Sequence, residues 1–303
     1  MMRTLGVALA LLVGGVARPA SAQLSPPNEA GVAMGHLHYV VSDVEANRQF
    51  WLRLGGEVTA FGDTVVVKFP DVLVFLDEGE TSGGTDGSIV NHVAFRVQSL
   101  ETLAAAGFEF EVSVSFPGIT NLFSPEGERI ELFDDTATNL TFTLDDGSTD
   151  PVAQRHNEPL EGSIRSHHLH LYLVEDAVEE AQRWYATMFD GEITAESELR
   201  EAPQISVAVS GATLLIRGKR PGEVPARTQP MQAFDGYTSH NEWGIDHFGF
   251  TYDGDLSAFC DELKRKGAEF IVEPWEFKPG VVICYVAAPD GVSIEVVQAR
   301  SSD

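Results

Sequence analysis

An internal fourfold repeat constrains the fold of this chain more than any other feature. Four segments have a histidine at their second position, followed by alternating apolar residues: GHLHYVV from Gly35, NHVAFRV from Asn91, HHLHLYL from His167 and DHFGFTY from Asp246. A period of two is typical of a strand with one face on a core, so we expect the aligned histidines on the opposite face. Self-similarity on this scale predicts four copies of one supersecondary unit.

A helical stretch follows each of these strands. The four stretches, opened by Ser or Asp residues suited to N-capping and closed near Gly, are SDVEANRQFWLRLGG, QSLETLAAAGF, EDAVEEAQRWYATMFDG and GDLSAFCDELKRKGA. Short β-type runs come next, such as DTVVVKF and VLVFL after the first helix. Each unit is therefore predicted to be βαβββ.

The second and fourth units also end alike. SPEGERIELF and APDGVSIEVV share Pro, Gly, Ile and Glu, which fixes Glu131 and Glu295 at one distance past a turn. Residues 136–165 are polar, acidic and rich in turn residues, apart from a short predicted strand, NLTFTL. We interpret them as a linker between an N-terminal domain of units one and two (33–135) and a C-terminal domain of units three and four (166–298).

The first residues have the pattern of a secretory signal. Arg3 precedes an apolar stretch that ends near Val16, and Ala20-Ser21-Ala22 is a small-x-small cleavage pattern. An apolar stretch of about 12 residues is too short for the roughly 20 that a spanning helix needs. We therefore predict that residues 1–22 are a signal peptide, that the mature protein is secreted or periplasmic, and that no membrane span remains after cleavage.

The charge of the chain restricts its partners. Its formal net charge is −26, and removing Arg3 and Arg18 with the signal makes it −28. Such a chain repels phosphate backbones and anionic lipid, so nucleic acid and membrane surfaces are poor partners. Cys260 falls in a predicted helix and Cys284 in a predicted strand, so we expect small buried side chains rather than a disulfide bridge.

The repeated strands, with His and Glu at matching positions of the units, resemble the vicinal oxygen chelate superfamily. That superfamily includes glyoxalase I, bleomycin-resistance proteins and extradiol ring-cleaving dioxygenases. The resemblance implies an α+β fold in which two βαβββ units form a cupped, incomplete barrel around one metal ion, so that four units make two cups. Carried over by position, it implies a C-terminal metal site of His168, His247 and Glu295, and a second metal site of His36, His92 and Glu131.

The implied ligand set suggests which metal binds. Two neutral imidazoles and one carboxylate form the facial triad typical of non-haem Fe(II), with Mn(II) or Zn(II) as alternatives. His38 and His170 lie two residues beyond their aligned histidines on the same strand face, so each either contacts substrate or ligands or fills the cup passively. His168 is preferred to His170 as ligand because it keeps Leu169, Leu171 and Leu173 on the packed face, whereas aligning His170 would put Glu175 there.

The family pattern also narrows the chemistry. Isomerases of the family use a fourth ligand late in the odd-numbered unit, yet VLVFL and TLLIRG contain no acidic residue or His. Tyr285, the Pro-x-Gly turn and Glu295 match ring-cleaving dioxygenases, whereas the upstream acid/base His of that pattern is missing. Tyr285 is either a substrate contact or a wall aromatic, and His240 is either a catalytic loop residue or solvent-exposed.

The predicted function is metal-dependent, extradiol-dioxygenase-like oxidation of a small catechol-like substrate outside the cytoplasm. One alternative is a glyoxalase-like lyase or isomerase that acts through a metal-stabilised enediolate. Another is a non-catalytic periplasmic binder of the bleomycin-resistance type.

Overall fold

The computed structural model describes residues 24–81, 83–85, 87–112, 118–134, 160, 162–174, 177–199, 202–219, 222 and 245–298. The predicted signal peptide and nearly all of the predicted linker, with its short strand, lie outside these residues. The helices are α1 Val44–Leu54, α2 Leu100–Ala105, α3 Val178–Phe189 and α4 Leu256–Arg265. The strands are β1 Val32–Val41, β2 Glu57–Phe61, β3 Thr64–Phe69, β4 Val72–Glu78, β5 Val90–Val97, β6 Ile119–Phe123, β7 Arg129–Asp134, β8 Ile164–Tyr172, β9 Glu192–Leu199, β10 Ala202–Val209, β11 Ala212–Arg217, β12 His247–Tyr252, β13 Glu269–Lys278, β14 Val281–Ala287 and β15 Ser293–Gln298.

The predicted unit is present throughout the repeat. Units one, three and four are each βαβββ, and unit two is β5-α2-β6-β7 with a further isolated bridge from Val112 to Thr120. Side-chain caps begin three of the four helices, at Asp43, Ser99 and Asp255, as the sequence predicts. Helix α3 instead follows Ala177, which provides no side-chain hydrogen bond.

The two sheets pair the units differently from the sequence prediction. One sheet has the order β13-β14-β15-β12-β1-β4-β3-β2, and the other has the order β6-β7-β5-β8-β11-β10-β9. Strand β1 runs antiparallel to β12, and β5 runs antiparallel to β8. Unit one therefore shares a cup with unit four, here called cup 1–4, and unit two shares one with unit three, cup 2–3.

This topology corrects the predicted pairing of units one with two and of units three with four. Residues 33–135 and 166–298 are therefore not separate cups. The physical reason is that the central contact between units is a main-chain ladder. Main-chain hydrogen bonds do not depend on side-chain identity, so the repeated strands can satisfy them in either pairing. The alternation of apolar residues fixes the register and buried face of a strand, but not its partner.

The apolar faces of the two sheets pack against each other. Trp51 and Phe69 of unit one contact Phe95 of unit two, with ring centroids 6.1 and 4.9 Å away. Phe189 of unit three similarly lies 4.8 Å from Phe250 of unit four. The core therefore joins the two cups through their backs, and the histidines face the opposite side, as predicted.

The cysteines also follow the prediction. Cys260 in α4 and Cys284 in β14 are buried and unbridged, with their Sγ atoms 2.9 Å apart. Within the described part of the chain, no helix is both long and apolar enough to span a bilayer.

Candidate metal centres

Three potential ligands converge in cup 1–4. The Oε2 atom of Glu295 lies 2.8 Å from His36 Nε2 and 3.0 Å from His247 Nε2. With His38, these residues place one ligand atom each within 4.8 Å of all the others, and all four are buried. Three strands bring them together, since β12 is flanked by antiparallel β1 and parallel β15.

A glycine makes room for one of these imidazoles. Gly249 lies opposite His36 in the β1–β12 ladder. A Cβ atom at Gly249 would lie 2.1 Å from His36 Cε1, far inside van der Waals contact. The His36 ring thus occupies space that a side chain would otherwise fill, so the position of this ligand depends on Gly249.

A buried carboxylate orients the second imidazole. His247 Nδ1 is 2.6 Å from Asp246 Oδ2, so Nδ1–H donates to Asp246 and Nε2 faces Glu295. Burial alone would lower the pKa of His247, but the hydrogen bonds to Asp246 and Glu295 outweigh it and raise the pKa to about 9. A carboxylate that accepts from the outer nitrogen of a histidine is a frequent support for metal ligation.

The remaining two ligands show complementary shifts. Burial lowers the pKa of His36 in spite of its hydrogen bond to Glu295. Burial by itself would raise the pKa of Glu295, but the hydrogen bonds from His247 and His36 hold it well below its usual range. Glu295 is therefore ionised and His36 is neutral, whereas His247 would release its proton on binding a metal ion.

Cup 2–3 repeats the arrangement with wider spacing. Glu131 Oε1 lies 3.6 Å from both His92 Nε2 and His168 Nε2, and His170 joins the two histidines in a second cluster. His92 Nδ1 is 2.9 Å from Asn91 Oδ1, which stands where cup 1–4 has Asp246. Burial would raise the pKa of Glu131, but His92, His168 and Arg129 lower it to about 2.

The distances fit a divalent ion. Two ligand atoms about 2.1 Å from an ion and at right angles are about 3 Å apart, and wider angles give somewhat larger separations. The spacings in cup 1–4 also suit hydrogen bonds, but 3.6 Å in cup 2–3 is too long for one. His92 Nε2 is thus buried without a hydrogen-bond partner among the described residues, an arrangement that a bound ligand would relieve.

The structure regroups the predicted ligands. His168 does not meet His247 and Glu295, and His36 does not meet His92 and Glu131, because the cups combine different units from those expected. The positions within each unit agree with the repeat, whereas their division between two sites is corrected. The observed sets are His36, His247 and Glu295 in cup 1–4, and His92, His168 and Glu131 in cup 2–3.

The other predicted site residues lie beside these sets. His38 Nε2 is 3.0 Å from Asp77 Oδ2, and the His38 ring is 4.6 Å from that of His247. The His170 ring is 4.8 Å from that of His92. Tyr285 is fully buried, pairs with Glu295 across β14 and β15, and lies 5.2 Å from the His247 ring. The predicted loop residue His240 lies outside the described residues.

Sequence reasoning missed several residues that support the ligands. Asp246 and Asn91 directly precede an aligned histidine, so the repeat itself contained this signal. Asp77 was missed because β4 continues two residues beyond VLVFL, and the hydrogen bond from His38 holds the pKa of Asp77 below its usual range. Nothing in a single sequence marks the close approach of Gly249 to His36.

Comparison with known proteins agrees with the fold and the resemblance. Residues 165–296, which contain units three and four, match the family model of the Glyoxalase/Bleomycin resistance protein/Dioxygenase superfamily. A mutant glyoxalase I from Zea mays superposes with a TM-score of 0.60 at 12% identity, covering 88% of this chain and 94% of that one. A putative dioxygenase from Bacillus subtilis subsp. subtilis str. 168 gives a TM-score of 0.55 at 12% identity, covering 89% and 86%.

No curated protein sequence matches the chain. At these identities the structural likeness shows the fold alone, and it extends over both halves of the chain. The predicted α+β fold of paired βαβββ units and the resemblance to the vicinal oxygen chelate superfamily are confirmed.

Proposed function

We propose that this protein is a metal-dependent oxygenase whose centre is cup 1–4, with Fe(II) held by His36, His247 and Glu295. The observation that carries the proposal is the convergence of two imidazoles and one carboxylate on one point, with His247 oriented by Asp246. This donor set is the facial triad of non-haem Fe(II) oxygenases, which keeps positions for substrate and O2.

The β4 wall of the cup favours an aromatic substrate over a fourth ligand from that strand. On β4, Leu73 and Phe75 lie opposite His36 and His38 in the parallel ladder. The Phe75 ring is 5.1 Å from the His36 ring, at the height where a fourth ligand from this strand would stand. An apolar side chain there packs against a flat ring, which supports a catechol-like substrate and disfavours a fourth ligand at this position of β4.

The chain supplies its own proton acceptor. When bound, the ion would lower the pKa of a chelated hydroxyl group and bring O2 to the same face. His38 donates Nε2–H to Asp77, which leaves Nδ1 to accept the hydroxyl proton, and the Asp77 carboxylate stabilises the resulting imidazolium. Tyr285 would orient a substrate oxygen from the far wall, next to Glu295.

A glyoxalase-like lyase or isomerase remains the second candidate. The His38–Asp77 pair favours it, because the same base can remove a proton from carbon to form an enediolate. We further propose that the protein acts after export, following the secretory pattern of its first residues.

The test is metal analysis of anaerobically purified protein, followed by oxygen uptake with a panel of catechols. His247→Ala should lose both iron and uptake, whereas Ser293→Ala, on the same cup wall but not a ligand, should keep both. Bound iron with no uptake on any catechol would reject the oxygenase and leave the lyase or isomerase to be assayed with 2-oxoaldehydes. Absence of stoichiometric metal would reject both and leave a small-molecule binder.

A further inference from the structure

The two cysteines of the chain contact each other on the side of the sheet that faces away from cup 1–4. They are the chain's only cysteines, and they lie in different elements, Cys260 in α4 and Cys284 in β14. Their Sγ atoms are 2.9 Å apart, and neither side chain is exposed. The sequence prediction of unbridged cysteines rested on their assignment to separate elements, and the structure shows that these elements meet at the two sulfur atoms.

The packing of α4 on the sheet fixes this contact. The ring of Tyr285 lies 5.2 Å from that of His247, so Tyr285 faces cup 1–4. Successive residues of a strand point to opposite faces, and Cys284 therefore points away from the cup. Cys260 lies on the buried face of α4 and meets Cys284 there. The two thiols thus meet inside the core rather than at the surface.

The spacing of the sulfur atoms suits a covalent bond better than a contact between two thiols. Non-bonded carbon atoms, which are smaller than sulfur, prefer separations of about 3.5–4.0 Å. A thiol is also only a weak donor and a weak acceptor, so a hydrogen bond compensates little for a closer approach. In a disulfide the sulfur atoms are about 2.05 Å apart, so the pair at 2.9 Å needs to close by only about 0.9 Å.

The repeat does not require sulfur at this place in the sheet. In unit two, Thr120 takes the place of Cys284, since each pairs with the residue that follows the ligand glutamate of its unit. Thr120 is equally buried, and its hydroxyl donates to the carbonyl oxygen of Glu111 at 2.7 Å. The fold therefore accommodates a small polar side chain here. Cysteine is specific to unit four, where a partner thiol is present.

We propose that Cys260 and Cys284 form a disulfide bond when the chain folds in the presence of a disulfide oxidant, and that this bond attaches α4 covalently to β14. The site involves the ligands of neither cup. Its failure would therefore leave the proposed function untouched, and the reverse.

The bond forms by thiol–disulfide exchange. One cysteine thiolate attacks the disulfide of the oxidant, which yields a mixed disulfide and releases one thiol of the oxidant. The second cysteine thiolate attacks the protein sulfur of the mixed disulfide, which forms the bond between Cys260 and Cys284 and releases the second thiol. Two electrons pass from the cysteines to the oxidant, and the two cysteine protons end on the two released thiols.

Burial determines when this exchange takes place. The hydrogen bond with Cys260, together with burial, raises the pKa of Cys284 well above its usual range, so the folded chain holds little thiolate. The thiolate is the attacking species, and an oxidant does not reach two fully buried sulfur atoms. The bond consequently forms before α4 docks on the sheet, and the docked helix then shields it from reductants.

The experiment is refolding of the purified full-length chain from urea and a reductant, with either oxidised glutathione or dithiothreitol in the refolding buffer. After removal of these reagents, each product is unfolded in the presence of N-ethylmaleimide, and its intact mass is measured. The wild type refolded with oxidised glutathione should take up no label and have a mass lower by two hydrogen atoms. The wild type refolded with dithiothreitol should take up two labels, one per cysteine.

Melting curves of the same products show that each is folded and whether the bond fits the native packing. The bridged wild type should melt roughly 5 °C or more above the reduced one, because the bond restricts the unfolded chain between two cysteines 24 positions apart. The matched control is Cys284→Thr, which installs the residue of unit two. It should keep one thiol, free or joined to glutathione, and its melting temperature should not rise with oxidised glutathione.

Three results for the wild type refolded with oxidised glutathione would each overturn the inference: two labels, a glutathione adduct, or a bond between two chains. A bridged wild type that melts no higher than the reduced one would also overturn it, because the bond would then not fit the native contact.

Discussion

Glu128 should make the stability of this protein fall as the pH rises. It is 2% exposed at the turn before β7, where the repeat places the core residue Val292 in unit four. Its Oε2 atom has no hydrogen-bond partner among the described residues. Burial, and secondarily the charge of Glu126, raises the pKa of Glu128 from 4.5 to about 8.

The size of the effect follows from that pKa. Since one pKa unit is worth about 1.4 kcal/mol, a change from 4.5 to about 8 corresponds to about 5 kcal/mol at full ionisation. The folded-state pKa is the higher one, so the contribution is fully present below pH 4.5 and is lost as the pH rises through 8. By pH 7 about 3 kcal/mol of it should already be lost.

Urea unfolding of the wild type and Glu128→Gln between pH 4.5 and 8 measures this contribution. The free energy of unfolding of Glu128→Gln, relative to the wild type, should increase by about 3 kcal/mol from pH 4.5 to 7. Glu57→Gln, at an exposed position in β2, should run parallel to the wild type. Parallel profiles for Glu128→Gln and the wild type would refute the assignment of a buried, neutral carboxyl group.

Three further predictions concern the ligand supports and the first residues. Gly249→Ala should weaken metal binding in cup 1–4 about 10-fold, because the new Cβ atom would displace the His36 ring. Calorimetric titration checks this, with Ala94→Gly at the equivalent position of cup 2–3 as the control. A metal affinity in Gly249→Ala equal to that of the wild type would contradict it. Asp246→Asn should weaken the same site roughly 10- to 100-fold, because the acceptor of His247 Nδ1–H loses its negative charge, whereas Asn91→Asp should strengthen any metal binding in cup 2–3. Unchanged metal affinity in Asp246→Asn would show that the carboxylate does not support the ligand. The mature protein should begin at Gln23, which mass spectrometry of the exported chain can test, and an exported chain that retains Met1 would contradict cleavage.

Local features of the sequence were sufficient to predict the elements and the faces of the strands. The alternation around Leu37 and Leu169 predicts which face is buried, and Asp43, Ser99 and Asp255 cap helices where expected. These properties depend on residues within a few positions of each other, so a single sequence carries them.

The partnership of the units depends on contacts between distant residues. Phe95 packs against Trp51 and Phe69, and Phe189 packs against Phe250. The sequences of the histidine strands themselves do not indicate which units will pair. The six candidate ligand positions were therefore predictable, and their division into two clusters was not.

The central claim is that the metal centre joins unit one to unit four. The most direct test is to dialyse two single variants until only the most tightly bound ion remains, and then to measure their metal content. Cup 1–4 combines His36 with His247 and Glu295 and has the more negative surroundings. His36→Ala should therefore lose that ion, and His168→Ala should retain it. Loss of the ion in His168→Ala with retention in His36→Ala would contradict the pairing of unit one with unit four at the metal centre.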